Sequence, residues 1–234
     1  MKRLYLILFL FIAYLHASAQ SRAIFKVQQT VIKGNKGGKF KKASPNFYED
    51  EDYVVRKTCN GEFGGTVIFK DKKTGIAYYC DATCPVIVNK INGRYIVSNT
   101  LAHLGGFSEV IEIDNPASMQ VVEQVTPAHG KGSKVEADPT KGRRHLLDTM
   151  GILLLVSFPY EGELYHITTD FKNTYVSKIE GNRLVNIGLV ANESFWSYGE
   201  EVIHTKENHY VVFFRNTKGY LDIFGDQIEV VRYQ

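Results

Sequence analysis

Amphipathic helical periodicity is nearly absent from the sequence. Few windows place apolar residues at i, i+3, i+4 and i+7 behind a capping residue, which sets aside helical bundles and coiled coils. Tryptophan occurs once and cysteine three times. Beyond residue 15 no apolar run is long enough to span a bilayer; the run at 152–156 is bounded by Gly151 and Ser157. Catalytic signatures are missing as well. There is no Gly-x-Ser-x-Gly elbow, no His-Glu-x-x-His and no phosphate-binding loop ending in Lys-Ser/Thr. The basic residues of the 126–147 stretch are not interleaved with aromatics, so a nucleic-acid partner is not expected. A Cys-x3-Cys pair without a second ligand set does not make a zinc site, and no cofactor or metal is expected.

The N-terminus is what gives the chain its basic look. Lys2 and Arg3 precede a 4–15 apolar run, and Ala17-Ser18-Ala19 follows with small residues at cleavage-site positions. That order is read as a secretory signal peptide over 1–19, too short in its apolar part for a stable membrane span. Cleavage starts the mature chain at Gln20 and takes the formal charge from +3 to about +1, since two basic residues leave. The expected location is periplasmic or extracellular. Residues 20–52 form a separate N-terminal segment, with one strand in 24–32, a flexible basic Gly-rich stretch at 33–39, and a run of four acids at 49–52.

Tyrosine and phenylalanine, 14 each, favour strands. Runs rich in β-branched residues and aromatics recur at 53–55, 66–69, 86–88, 95–97, 110–113 and 210–214. Polar dipeptide turns at Asn60-Gly61, Asn92-Gly93, Glu161-Gly162 and Glu207-Asn208 are each followed by an aromatic: Phe63, Tyr95, Tyr165 and Tyr210. Once a polar insertion over 126–147 is set aside, the later turns recur with a period of about 45 residues. The 61 to 93 interval is shorter and does not fit.

These turn-plus-aromatic units resemble those of secreted bacterial β-propeller-like repeat proteins. The resemblance covers the single all-β domain expected at 53–234. It implies a propeller-like array of about four short antiparallel meanders, without a Trp-Asp pair or a kelch double glycine. A β-sandwich is the alternative architecture.

In an exported chain the cysteines are free to pair. A Cys80–Cys84 bridge is expected, with three buried thiols as the alternative. Cys59 and Cys80, on the first and third strands of a meander, would stand too far apart. Candidate binding residues fall in two places. Asn99 and His103 fall in a polar loop at 99–106 that ends in Gly105-Gly106, where the backbone admits close approach. Trp196 and Tyr198, two apart, share one side of a strand. Exposed, that pair would stack on a sugar ring; buried, it belongs to the core. The resulting reading is a non-catalytic exported binding or scaffolding module for a glycan or an envelope protein. The alternative is a glycan-active hydrolase or lyase with its site in a propeller channel. Oligomerisation through an exposed edge strand, such as 227–233, would complete an open array.

Overall fold

The computed structural model describes residues 23–34, 40–103, 105–122, 138–197, 201–205 and 208–234. The expected signal peptide and Tyr198 lie outside them. The fold is all-β, in four sheets rather than the two of a sandwich.

The first sheet runs β2 (Tyr48–Glu49), β3 (Tyr53–Lys57), β4 (Thr66–Asp71), β5 (Ala77–Asp81) and β9 (Gln120–Val121). The second holds β6 (Pro85–Ile91), β7 (Arg94–Leu101), β8 (Phe107–Ile113) and β10 (Arg144–Met150). The third is β11 (Leu153–Tyr160), β12 (Glu163–Thr169), β13 (Thr174–Glu180) and β14 (Arg183–Ala191). In the fourth, β15 (Val202–His204), β16 (His209–Phe213), β17 (Gly219–Phe224) and β18 (Gln227–Tyr233) are joined by β1 (Lys26–Ile32). All pairings are antiparallel except β1 on β18, which is parallel.

Three boundaries differ from the sequence reading. The stretch before Tyr53 is built into the sheets at both ends, through β1 and β2. The polar insertion expected at 126–147 ends inside β10, whose Arg144 pairs with Glu112 of β8. Its described part thus supplies the fourth strand of the second sheet. The edge of β18 is covered by β1 from the same chain, so it is not free for a second subunit.

Two of the four turn signals share one backbone geometry. Asn92-Gly93 and Glu161-Gly162 both take positive φ at their two central residues (50° and 80°; 49° and 80°). This is the mirror-image turn that matches strand twist. Each joins the first and second strands of its sheet, and Asn208 (φ 52°) does the same between β15 and β16. Asn60-Gly61 does not belong to the set. It opens a 3-10 turn between β3 and β4, and Phe63 is 84% exposed.

Tyr95, Tyr165 and Tyr210 are all buried and sit where sheets meet. Tyr95 packs on Phe69 at 5.0 Å between ring centroids, Tyr165 on Phe25 at 4.8 Å, and Tyr210 stacks on His204 at 4.5 Å. Such edge-on and stacked contacts add to the area these rings remove from water.

Packing follows strand alternation. In the second sheet Tyr95, Val97, Ile111 and Ile113 face the first sheet, against Val55, Val67 and Phe69. Ile96 and Val110 on the opposite face meet Leu154 of the third sheet. The third and fourth sheets share the largest cluster, with Phe158, Ile167, Tyr210 and Leu221. With both faces covered, β6, β7, β8 and β11 read as nearly continuous buried runs. The outer strands β1 and β14 are mostly exposed.

Candidate functional site: a cleft between the second and third sheets

The cysteines pair differently from the expectation. The bridge is Cys59–Cys84, with Cα atoms 4.7 Å apart, and Cys80 is free and buried. Cys59 follows β3 and Cys84 precedes β6, so the bond ties the ends of two different sheets. A single-meander picture does not contain that geometry. Cys80 points inward from β5, and burial pushes its thiol up to about 12. It is therefore protonated and unreactive at neutral pH.

Of the four sequence candidates, Asn99, His103 and Trp196 lie among the described residues. Asn99 is wholly buried, and its register partner on β8 is Glu109. Glu109 is itself only 4% exposed in its side chain. It accepts from Arg143 Nη1 at 3.1 Å and from Thr83 N at 3.3 Å. His103 lies outside this pair, half exposed, with Nδ1 3.3 Å from Glu62 Oε2. Trp196 follows β14 in a loop, not a strand. Its indole Nε1 donates to Ser194 Oγ at 2.7 Å, and its ring meets Phe171 edge-on at 5.7 Å.

A better-formed site lies elsewhere. The facing surfaces of the second and third sheets are unusually polar for a core. Ser98, Thr100 and Ser108 on one side oppose Ser157, His166, Thr168 and Ser177 on the other, all buried. Ser157 Oγ lies 2.6 Å from Ser98 Oγ and 2.7 Å from His166 Nδ1. Thr168 Oγ1 lies 2.7 Å from Ser177 Oγ, which bonds Asn186 Oδ1 at 2.8 Å. Buried hydroxyls linked in this way are satisfied by one another.

A bulge makes the arrangement. Leu154 pairs with Thr168 and Val156 with Ile167, leaving Leu155 as the extra residue. The shift puts both Leu154 and Ser157 toward the second sheet while Val156 and Phe158 enter the other core.

One end of this interface opens into a cleft of about 480 Å³. Its walls are aliphatic, from Ile96, Leu146, Leu164 and Ile179. Its rim is charged. Glu112 accepts from Arg94 Nη1 at 3.3 Å and from the Arg144 guanidinium, and Lys178 donates to Glu163 Oε2 at 2.6 Å. Hydrogen bonds from Lys178 and Tyr165 hold the Glu163 carboxyl below its ordinary range. At the floor is His166. Its ring is fully buried, burial pushes it down to about 3, and its Nε2 has no partner among the described residues. The imidazole is therefore neutral across the physiological range. Nothing in the sequence reading pointed to it. The available signal was a histidine inside an otherwise strand-forming run, Glu163–Thr169.

A second, smaller cavity of about 100 Å³ lies where β2, β6 and β15 meet. Asn89 of β6 extends this meeting point, donating to Ser157 O at 3.0 Å and accepting from Tyr210 OH at 3.2 Å. Among the described residues, no helix is long and apolar enough to cross a membrane. Compared with family models, curated proteins and solved structures, the chain matches none. Its function therefore has to be argued from the site.

Proposed function

We propose that the chain is an exported, non-catalytic binding module whose four sheets are arranged like propeller blades, and that it holds a glycan in the cleft between the second and third sheets. The observation that carries the binding reading is the cleft itself. Aliphatic walls offer a surface to the C–H face of a sugar ring, and paired charges at the rim offer donors and acceptors to its hydroxyls. The blade-like reading is supported by the leading strands: β2, β6 and β15 line one cavity, and Asn89 ties β6 to β11 and β16. Export is supported by the order of residues at 1–19.

The test is binding of the purified chain to a panel of glycans, with Leu164→Asp and Lys178→Glu as cleft variants. Loss of binding in both, with unchanged folding, supports the reading; binding that survives both refutes the site. Export is tested by mass spectrometry of the secreted form, which should begin at Gln20.

A second reading, a glycan hydrolase, draws on Glu112 and Glu163 lining the same cleft. Paired carboxylates are what that chemistry uses, but its general acid needs a raised pKa. Glu163 is shifted the other way. Turnover of a polysaccharide that is lost in Glu112→Gln would favour the enzyme.

A further inference from the structure

The charges around the cleft close on one another. Arg94 and Lys178 are its basic lining residues, and Glu112 and Glu163 its acidic ones. Arg94 spans two carboxylates, with Nη1 3.3 Å from Glu112 Oε2 and Nε 3.1 Å from Asp114 Oδ1. The Arg144 guanidinium holds the other oxygen of Glu112. Lys178 Nζ lies 2.6 Å from Glu163 Oε2, and Tyr165 OH donates to the same oxygen at 2.9 Å. With Arg144 and Asp114 included, the three cations are matched by three carboxylates. Bonding capacity remains, since an ammonium has three hydrogens and a carboxylate two oxygens. Lys178 keeps donors to spare, and Glu163 Oε1 takes no hydrogen bond among the described residues.

An ion entering this ring of pairs gains little. A carboxylate drawn to Arg94 meets Glu112 and Asp114 on the same guanidinium, and one drawn to Lys178 meets Glu163. Like charges set side by side in an interface are costly. Drawing Arg94 away from Glu112 is no remedy, because the Glu112 side chain is only 8% exposed and would lose part of its compensation. A protonated amine meets the mirror difficulty at Arg94 and Lys178. A hydroxyl is both donor and acceptor. Of two neighbouring hydroxyls on one sugar ring, one can accept from Lys178 Nζ while the other donates to Glu163 Oε1, and the ion pair stays whole. We propose that the cleft selects uncharged glycans over uronic-acid and amino-sugar chains, with a vicinal diol bridging Lys178 and Glu163. This rests on the glycan-binding reading above and names the ligand class within it.

The experiment runs the glycan panel in matched pairs on the full chain by calorimetry. Mannotriose with β-1,4 links is set against the mannuronate trisaccharide, which carries a carboxylate in place of each C6 hydroxymethyl group. Cellotriose is set against the glucosamine trisaccharide, which carries an ammonium in place of each C2 hydroxyl. Each charged form should bind about tenfold more weakly than its neutral counterpart, and added salt should leave binding of the neutral sugars unchanged. Competition against the bound neutral sugar confines the comparison to the cleft. Asp114→Asn, where the side chain is 72% exposed, removes one of the two carboxylates on Arg94 and should narrow the gap for mannuronate by roughly threefold. Glu163→Leu removes the acceptor of the diol and should weaken the neutral sugars about tenfold. Equal or tighter binding of the charged forms, a gap that Asp114→Asn does not narrow, or neutral binding untouched by Glu163→Leu would overturn the assignment and leave glycan binding standing. Failure of every glycan in the panel would overturn both.

Discussion

Acidification should destabilise this protein through His166 before its carboxylates begin to matter. The folded chain refuses a proton at this ring until about pH 3, because the imidazole is fully buried. The unfolded chain accepts one near pH 6.5. Between those values the unfolded state binds more protons, so stability is fully present above about pH 6.5 and falls as the pH drops. The slope is close to 1.4 kcal/mol per pH unit for one proton, which amounts to about 2 kcal/mol between pH 6.5 and pH 5. Urea unfolding followed by Trp196 fluorescence at pH 7, 6 and 5 measures it. The control is His166→Phe, which keeps a ring in the same space and titrates nothing. Burial also lowers His204, but that group is present in both proteins and cancels in their difference. The variant should show a pH dependence flatter by about 2 kcal/mol over this interval. Parallel curves for the two proteins would mean that water reaches the ring in the folded state, and the argument from burial would fail.

Three further outcomes follow from other parts of the structure. Reducing Cys59–Cys84, which closes a loop across a sequence separation of 25, should cost about 3.5 kcal/mol in the chain-entropy account. Thiol counting on the denatured, unreduced chain should find the single thiol of Cys80. Arg143→Met leaves the buried Glu109 carboxylate without its guanidinium and should lower stability by roughly 3–5 kcal/mol in denaturant melts, with the loss largely recovered in the Glu109→Gln, Arg143→Met double variant. Gly219→Ala places a Cβ onto the Val231 carbonyl oxygen of the neighbouring strand. The backbone there has no free side to move into, so a loss of about 1–3 kcal/mol is expected by thermal unfolding.

Much of the fold was legible because its signals are local. Asn92-Gly93 sits at a mirror-image turn and the runs after it are strands, for reasons of φ preference and β-branching that need no tertiary information. The β1 strand was also readable from 24–32. What could not be read depends on which sheet meets which. Cys84 seemed to belong with Cys80 because they are close in sequence, yet it opens the next sheet and meets Cys59 instead. The bulge at Leu155 turns Ser157 toward the second sheet, and a run of apolar residues such as Leu153-Leu154-Leu155-Val156 carries no mark of where the extra residue lies. Without that register, Ser157 and His166 have no reason to be connected. Asn99 was singled out for its polarity in a loop, but it lies in β7 at a buried position opposite Glu109, where its amide has no hydrogen-bond partner among the described residues.

The pairing of β1 with β18 has a consequence for how the chain acquires its shape. Lys26 lies beside Gln227, so the contact joins the two ends of the described chain. Loop-closure entropy rises only slowly with length, by about 0.6 kcal/mol per doubling, so the contact is affordable at equilibrium. Its kinetic effect is larger, because contacts between distant segments form late and slow the overall rate. The third sheet uses strands from one consecutive stretch and can order as it emerges, whereas the first waits for β9 and the second for β10. The fourth must hold its outer edge open until the earliest strand returns to it. A fragment lacking the last strands would leave β1 with no edge to join, and the half-buried Val27 and exposed Val31 of that unpaired strand would be its point of aggregation.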